Sequence, residues 1–217
     1  MRSKKDVDER IRRLEEEYPM ADCSLDFEKD YELLFSVRLS AQCTDARVNM
    51  VTPALFEAYP SLEAFAKADV ADIEKYIHSC GFFRAKARDI VAAANMIIDE
   101  YGGQVPQTME ELLKIPGVGR KTANLILGDA FGQPGYVVDT HCIRLTNRIG
   151  LADSKDPVKI EMRLREILPP EKSNDFCHRM VWHGRAVCSA RNPACEKCCI
   201  RHLCRYYESL KQDESKD

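Results

Sequence analysis

No stretch of this 217-residue chain approaches the roughly 18 consecutive apolar residues of a membrane span, although 45% of its residues are apolar. Residues 1–17 are densely charged and lack the apolar core of a secretory leader. The expectation is a cytoplasmic protein without a membrane partner. Strand signals are scarce too: only "GYVVD" at 135–139 reads as a strand, and nothing nearby could pair with it. Internal repeats and low-complexity tracts are missing. The net charge of −3 gives the whole molecule no pull toward a polyanion. Two phosphate-binding fingerprints fail as well. A Walker loop needs glycine directly before Lys-Thr and after a strand, but Arg120 separates Gly119 from Lys121 and Pro116 interrupts any strand. A dinucleotide fingerprint needs a third glycine where this chain has Thr122.

Helical periodicity fills the space left by these absences. Ile11, Leu14 and Tyr18 form one apolar stripe, and Ile90, Val91, Ala94, Ile97 and Ile98 a second. Ile160, Leu164, Ile167 and Leu168 form a third, and Phe176, Met180 and Val187 a fourth. Turn signals at Tyr59-Pro60, Gly102-Gly103, Gly132 to Gly135 and Pro169-Pro170 divide the chain into roughly ten short helices. The fold class is all-α. Residues 208–217 are charged and poor in apolar side chains, which predicts a disordered tail.

One stretch, "LLKIPGVGRKTANLILG" at 112–128, places Arg120 and Lys121 at the start of a helix, where the backbone is already electropositive. The amides from Val118 to Lys121 would then face outward and could hold one phosphate. A plain helix–turn–helix corner has the same outline.

The balanced total charge hides a local bias. From Arg185 to Arg205 the chain carries Arg185, Arg191, Lys197, Arg201 and Arg205 against Glu196 alone. A phosphate backbone senses such a patch rather than the total. The same region holds five cysteines, in "CSARNPACEKCCIRHLC". In a reducing compartment these are not disulfides, and crowded thiolates repel one another unless a metal neutralises them. Cys188, Cys195, Cys198 and Cys204 give the spacing C-x6-C-x2-C-x5-C. Zinc suits four cysteines, but usually with two CxxC knuckles; one knuckle with wide arms also suits an iron–sulfur cluster. Cys199 adjoins Cys198, and spacing leaves open which of the two is the ligand. Cys23, Cys43, Cys80, Cys142 and Cys177 read as small core residues.

Together, PGVGRKTAN, VDTH and the C-x6-C-x2-C-x5-C loop resemble the endonuclease III family of helix-hairpin-helix DNA glycosylases, over about residues 10–207. The resemblance implies two helical domains with a DNA-binding cleft between them. One is a six-helix domain at 24–134 containing the helix-hairpin-helix. The other combines 1–23 with 135–217 and carries a 4Fe-4S cluster on Cys188, Cys195, Cys198 and Cys204. The implied activity is base excision repair by a bifunctional DNA glycosylase and AP lyase, acting as a monomer. Its partner would be double-stranded DNA with oxidised pyrimidines or abasic sites, in the nucleoid of a prokaryote.

The family's catalytic lysine falls on Lys121 and its catalytic aspartate on Asp139. A carboxylate stabilises the oxocarbenium character that develops as an N-glycosidic bond breaks, and a neutral amine can attack the anomeric carbon to form a Schiff base. The helix N-terminus, Arg120 and burial against substrate all disfavour an ammonium there. Asp139 also reads as a plain N-cap ahead of Ile143, Leu145 and Ile149, and the two roles are compatible. The remaining DNA contacts carried over are Gly117, Gly119 and Arg120 of the hairpin, Gln42 filling the gap of the flipped nucleotide, and Asp45 near the substrate. Phe82 takes the intercalating position, where relatives often have an aliphatic residue. His141 lies near the DNA or is an ordinary helix residue, and Arg191 and Lys197 contact phosphates. Mismatch glycosylases of the superfamily share the cluster spacing but lack this lysine. A non-catalytic DNA-binding module with a structural zinc is the other alternative.

Overall fold

The computed structural model describes residues 4–214. Among them there is no strand, and twelve α-helices follow in order: α1 (Lys4–Glu17), α2 (Asp30–Ser40), α3 (Asp45–Ala58), α4 (Leu62–Ala66), α5 (Val70–Ile77), α6 (Phe83–Tyr101), α7 (Met109–Leu112), α8 (Arg120–Leu125), α9 (Thr140–Ile149), α10 (Pro157–Ile167), α11 (Ser173–Ala186) and α12 (Arg205–Glu214). The turn signals undercount because α4 and α7 are only five and four residues long. Short polar side chains set many of the helix starts. Ser61, Asp69, Thr108 and Asp156 each accept a backbone N–H from the first turn that follows them. The segment "GYVVD" is extended without pairing and runs into α9.

The chain divides into two compact units, one from Cys23 to Gln133 and the other built of the residues before and after it. In the first, α2 is the central rod. Leu33, Leu34, Phe35, Val37 and Leu39 are buried along it, and even Glu32 and Ser36 are enclosed. The Glu32 carboxylate is satisfied by the backbone N–H groups of Glu28 and Lys29, at 2.9 and 3.2 Å. Phe35 meets Phe65 edge-to-face, with ring centroids 4.9 Å apart. The stripe Ile90, Ala94 and Ile97 supplies the buried face of α6. Lys86 on the same helix is fully buried; its Nζ donates to the Leu39 carbonyl at 2.7 Å and so closes the C-terminal end of α2.

In the other unit the apolar stripes of α1, α9, α10 and α11 form one core that includes Ile11, Leu14, Leu145, Ile160, Leu164, Phe176 and Met180. Arg10 is buried within it and donates to the carbonyls of Asp6 and Leu203. The expected disorder of 208–217 is corrected for its described part, since residues 208–214 belong to α12. Tyr206 and Tyr207 pack against the core at the root of that helix, and the Tyr207 hydroxyl donates to Glu196 at 2.9 Å. Charge-rich helix formers thus gain an anchor that composition alone does not reveal. Residues 215–217 lie outside the described residues.

The hairpin turn depends on Gly117. Its φ is +79°, and a Cβ there would sit 2.7 Å from the Cδ and Nε of Arg38, whose guanidinium is held by Asp89 at 2.6 Å. Gly117→Ala should therefore destabilise the protein by about 1–3 kcal/mol, seen as a lower urea midpoint. An unchanged midpoint would contradict this account of the turn.

Candidate active site

The hairpin begins with α7, capped by Thr108, and turns through Ile115-Pro116-Gly117-Val118-Gly119 into α8. Ile115 and Val118 point into the core while Gly117, Gly119 and Lys121 are exposed and Arg120 is half-buried. Gly119 is the N-cap of α8 and has no side chain to offer its first amides. One expectation is corrected: the Val118 N–H is not available to an anion, because it donates to the Ile115 carbonyl at 3.1 Å within the turn. Behind Lys121, α8 runs on as a π-helical turn over Ile126–Ala130, with Ile126, Leu127 and Gly128 buried. Lys121 thus projects from a firmly packed base.

Gln42 and Phe82 share a conformation that the sequence does not announce. They are the only non-glycine residues with positive φ among those described, at 54° and 59°. A side chain of that size in the left-handed region costs free energy that packing elsewhere must offset, and such strain gathers at functional positions. Both residues are exposed. The loops that carry them are neighbours, as the Gln42 carbonyl lies 3.5 Å from the position of a Cβ on Gly81. Asp45 follows the Thr44 cap, half-buried in the first turn of α3.

In the other unit Asp139 is the N-cap of α9, accepting the Cys142 N–H at 2.7 Å. Its half-buried carboxylate faces the electropositive end of the helix. His141, two residues on, is half-buried with its Nδ1 3.0 Å from Nη2 of Arg144.

Cys188, Cys195, Cys198 and Cys204 line a single cavity, together with Ile149, Val187 and Tyr206. Cys199 is not part of that lining; it packs toward the core, and its carbonyl accepts from Arg13 at 3.2 Å. Among the described residues no three His, Cys, Asp or Glu side chains converge on a point that would suit a single ion. The four sulfurs surround a space instead. Burial pushes the Cys198 thiol up to about 12 and raises Cys195 as well. His183 stands 3.3 Å from the Cys198 sulfur and 2.9 Å from the Tyr18 hydroxyl, and burial lowers it to about 4, keeping the ring neutral. Arg191 and Lys197 lie exposed on the same loop.

Sequence reasoning did not single out Arg144 and Arg148, the residues of α9 that hold this loop. Arg144 donates twice to the Cys188 carbonyl, at 3.2 and 3.0 Å. Arg148 reaches the Cys188 sulfur at 3.3 Å and the Ser189 and Ala190 carbonyls at 2.6 and 2.7 Å. The available signal was their four-residue spacing beside the Leu145 and Ile149 stripe, which aims both down one face. Gly184 permits the close packing of α11 on that face: a Cβ there would lie 2.9 Å from Nη2 of Arg144.

The expected core cysteines divide. Cys80, Cys142 and Cys177 are buried, whereas Cys23 and Cys43 are only half-buried.

Residues 35–170 match the model of the HhH-GPD superfamily base excision DNA repair proteins. The chain is 52% identical to Endonuclease III of Synechocystis sp. over 188 residues, covering 86% of each chain. This protein belongs to the endonuclease III family. Its fold matches the solved structure of a non-covalent Endonuclease III–DNA complex with a TM-score of 0.90 and 39% identity, over 98% of this chain and 100% of the other. A trapped Endonuclease III–DNA covalent intermediate matches equally well, with a TM-score of 0.90 and 40% identity over 97% and 100% of the two chains.

Arg148→Met keeps the side-chain length but removes the three contacts to the cysteine loop. Hydrogen bonds from a charged donor contribute about 1.5–3 kcal/mol each, and less where the acceptor is exposed, as the Ala190 carbonyl is. Amide exchange at Cys188 and Ala194 should therefore accelerate by about tenfold or more, with α6 unaffected. Unchanged exchange at those amides would show that Arg148 does not hold the loop.

Proposed function

We propose that Lys121 and Asp139 divide the chemistry of this family between an amine and a carboxylate. The chain is a base excision repair DNA glycosylase with AP lyase activity, and its substrates are oxidised pyrimidines and abasic sites in double-stranded DNA. The carboxylate of Asp139 stabilises positive charge on the sugar as the base departs. Its N-cap bond orients it. The neutral amine of Lys121 then forms a bond to the anomeric carbon. The resulting Schiff base acidifies the neighbouring carbon, whose deprotonation expels the 3′ phosphate by β-elimination, and water releases the enzyme.

The reading is carried by Lys121. It stands exposed in the first turn of α8, behind a glycine-capped turn, in a chain 40% identical to a protein trapped as a covalent intermediate with DNA. Gly117, Gly119 and Arg120 present backbone and charge to one phosphate of the same strand. Gln42 and Phe82 fill the space left in the duplex by the extruded nucleotide, and both stand exposed on a left-handed backbone. Asp45 and His141 border the substrate.

Cys188, Cys195, Cys198 and Cys204 suit a 4Fe-4S cluster better than a zinc ion, since all four line one cavity and their single CxxC has wide arms on either side. When bound, the cluster supplies positive charge to four thiolates and orders the loop. Arg191 and Lys197 on that loop contact phosphates without reading bases. The protein works as a monomer in the cytoplasm.

Borohydride reduction tests the assignment by trapping the Schiff base on an abasic duplex. Lys121→Gln should lose the adduct and strand cleavage while still binding damaged DNA. Lys121→Arg should fail equally, since a guanidinium is not deprotonated at working pH. Asp139→Asn should lose base excision yet keep residual adduct on a preformed abasic site, where the aldehyde is already available. A strong adduct from Lys121→Gln would move the nucleophile elsewhere.

A further inference from the structure

Cys43 directly follows Gln42, and Cys80 precedes Phe82 by two residues. The two loops already touch, with the Gln42 carbonyl against Gly81, and Cys43 is near enough to Cys80 to raise its thiol. Cys80 is fully buried, whereas Cys43 is half-buried and open to a small oxidant. Burial and the neighbouring Cys43 push the Cys80 thiol up to about 11, and the charges of Lys86, itself fully buried, and of Arg47 offset part of that rise. None of these groups takes part in the glycosylase or lyase chemistry.

We propose that Cys43 and Cys80 form a peroxide-sensitive dithiol whose oxidation clamps the Gln42 loop to the Phe82 loop. The Cys43 thiolate attacks hydrogen peroxide, the O–O bond breaks, and a sulfenic acid and one water result. The Cys80 sulfur then attacks the sulfenic sulfur and expels a second water. Two thiols and one peroxide thus give one disulfide and two waters, the sulfurs having lost two electrons and the peroxide gained them. A disulfide holds its Cβ atoms about 3.8 Å apart. Because both loops carry a residue in a strained left-handed conformation, the bond restrains the side chains that must enter the duplex. The effect on activity rests on the reading of Gln42 and Phe82 as gap-filling residues; formation of the bond does not.

The test treats the holoprotein with stoichiometric hydrogen peroxide while the absorbance of its cluster is followed. Free thiols are alkylated, and the unreduced tryptic digest is analysed by mass spectrometry. Peptides 39–47 and 76–84 should appear joined through Cys43 and Cys80, and should separate with dithiothreitol. Activity on a duplex lesion should fall by about tenfold or more, because the gap-filling contacts offset a flipping cost of a few kcal/mol, and should return on reduction. Cys43→Ser and Cys80→Ala should each keep the untreated activity and lose the peroxide response. Recovery of both cysteines as alkylated or irreversibly oxidised monomers overturns the proposal. A joined peptide with undiminished duplex activity overturns the clamp. Equal reversible inhibition on duplex and single-stranded abasic substrates supports the clamp while removing the gap-filling reading of the two loops.

Discussion

The guanidinium groups of Arg144 and Arg148 bind four carbonyl and sulfur positions of the cysteine loop to one face of α9. The same helix begins at Asp139, whose carboxylate closes its first turn. One short helix thus connects the proposed catalytic carboxylate to the proposed metal site, over ten residues from Thr140 to Ile149. Its other face is apolar and buried through Cys142, Leu145 and Ile149. The helix cannot turn without exposing that face, so both ends are fixed relative to each other within their unit. Disorder in the loop would release the arginines, leave their carbonyl partners exposed to competition from water, and loosen the helix that orients Asp139.

The first unit solves a related problem with a buried charge. Its central helix α2 ends at Ser40, two residues before Gln42. Lys86 closes that end from inside the core, where burial lowers the affinity of its amine for a proton and the two nearby thiols oppose that effect. A buried ammonium is costly unless its partners are well placed. Here it meets the Leu39 carbonyl at the electronegative end of α2. The chain then leaves the helix in the left-handed conformation at Gln42. The exposed strain and the buried cation are two parts of one device for presenting a loop.

Much of this was legible in the sequence where local chemistry decides the outcome. The stripes of α6, α10 and α11 needed only the helical period, and the Asp139 cap needed only a short acidic side chain before an apolar run. The hairpin followed from Pro-Gly-Val-Gly, apart from the Val118 amide, whose engagement with Ile115 is a property of the folded turn. What stayed hidden depends on contacts distant in sequence. Arg144 and Arg148 reach a loop about 40 residues on, Lys86 reaches back to α2, and Cys198 differs from its neighbour Cys199 only through the direction each takes from the backbone. The helicity of 208–214 depended on Tyr206 and Tyr207 finding a surface, which a composition rich in charge conceals.

The central proposal is that the four sulfurs of the loop fastened to α9 through Cys188 enclose a cluster rather than a single ion. Chemical analysis of anaerobically purified protein tests it directly, through its iron, inorganic sulfide and zinc contents. The account predicts iron and sulfide in equal amounts, about four of each per chain, with a yellow-brown colour. Stoichiometric zinc without iron or sulfide would contradict it.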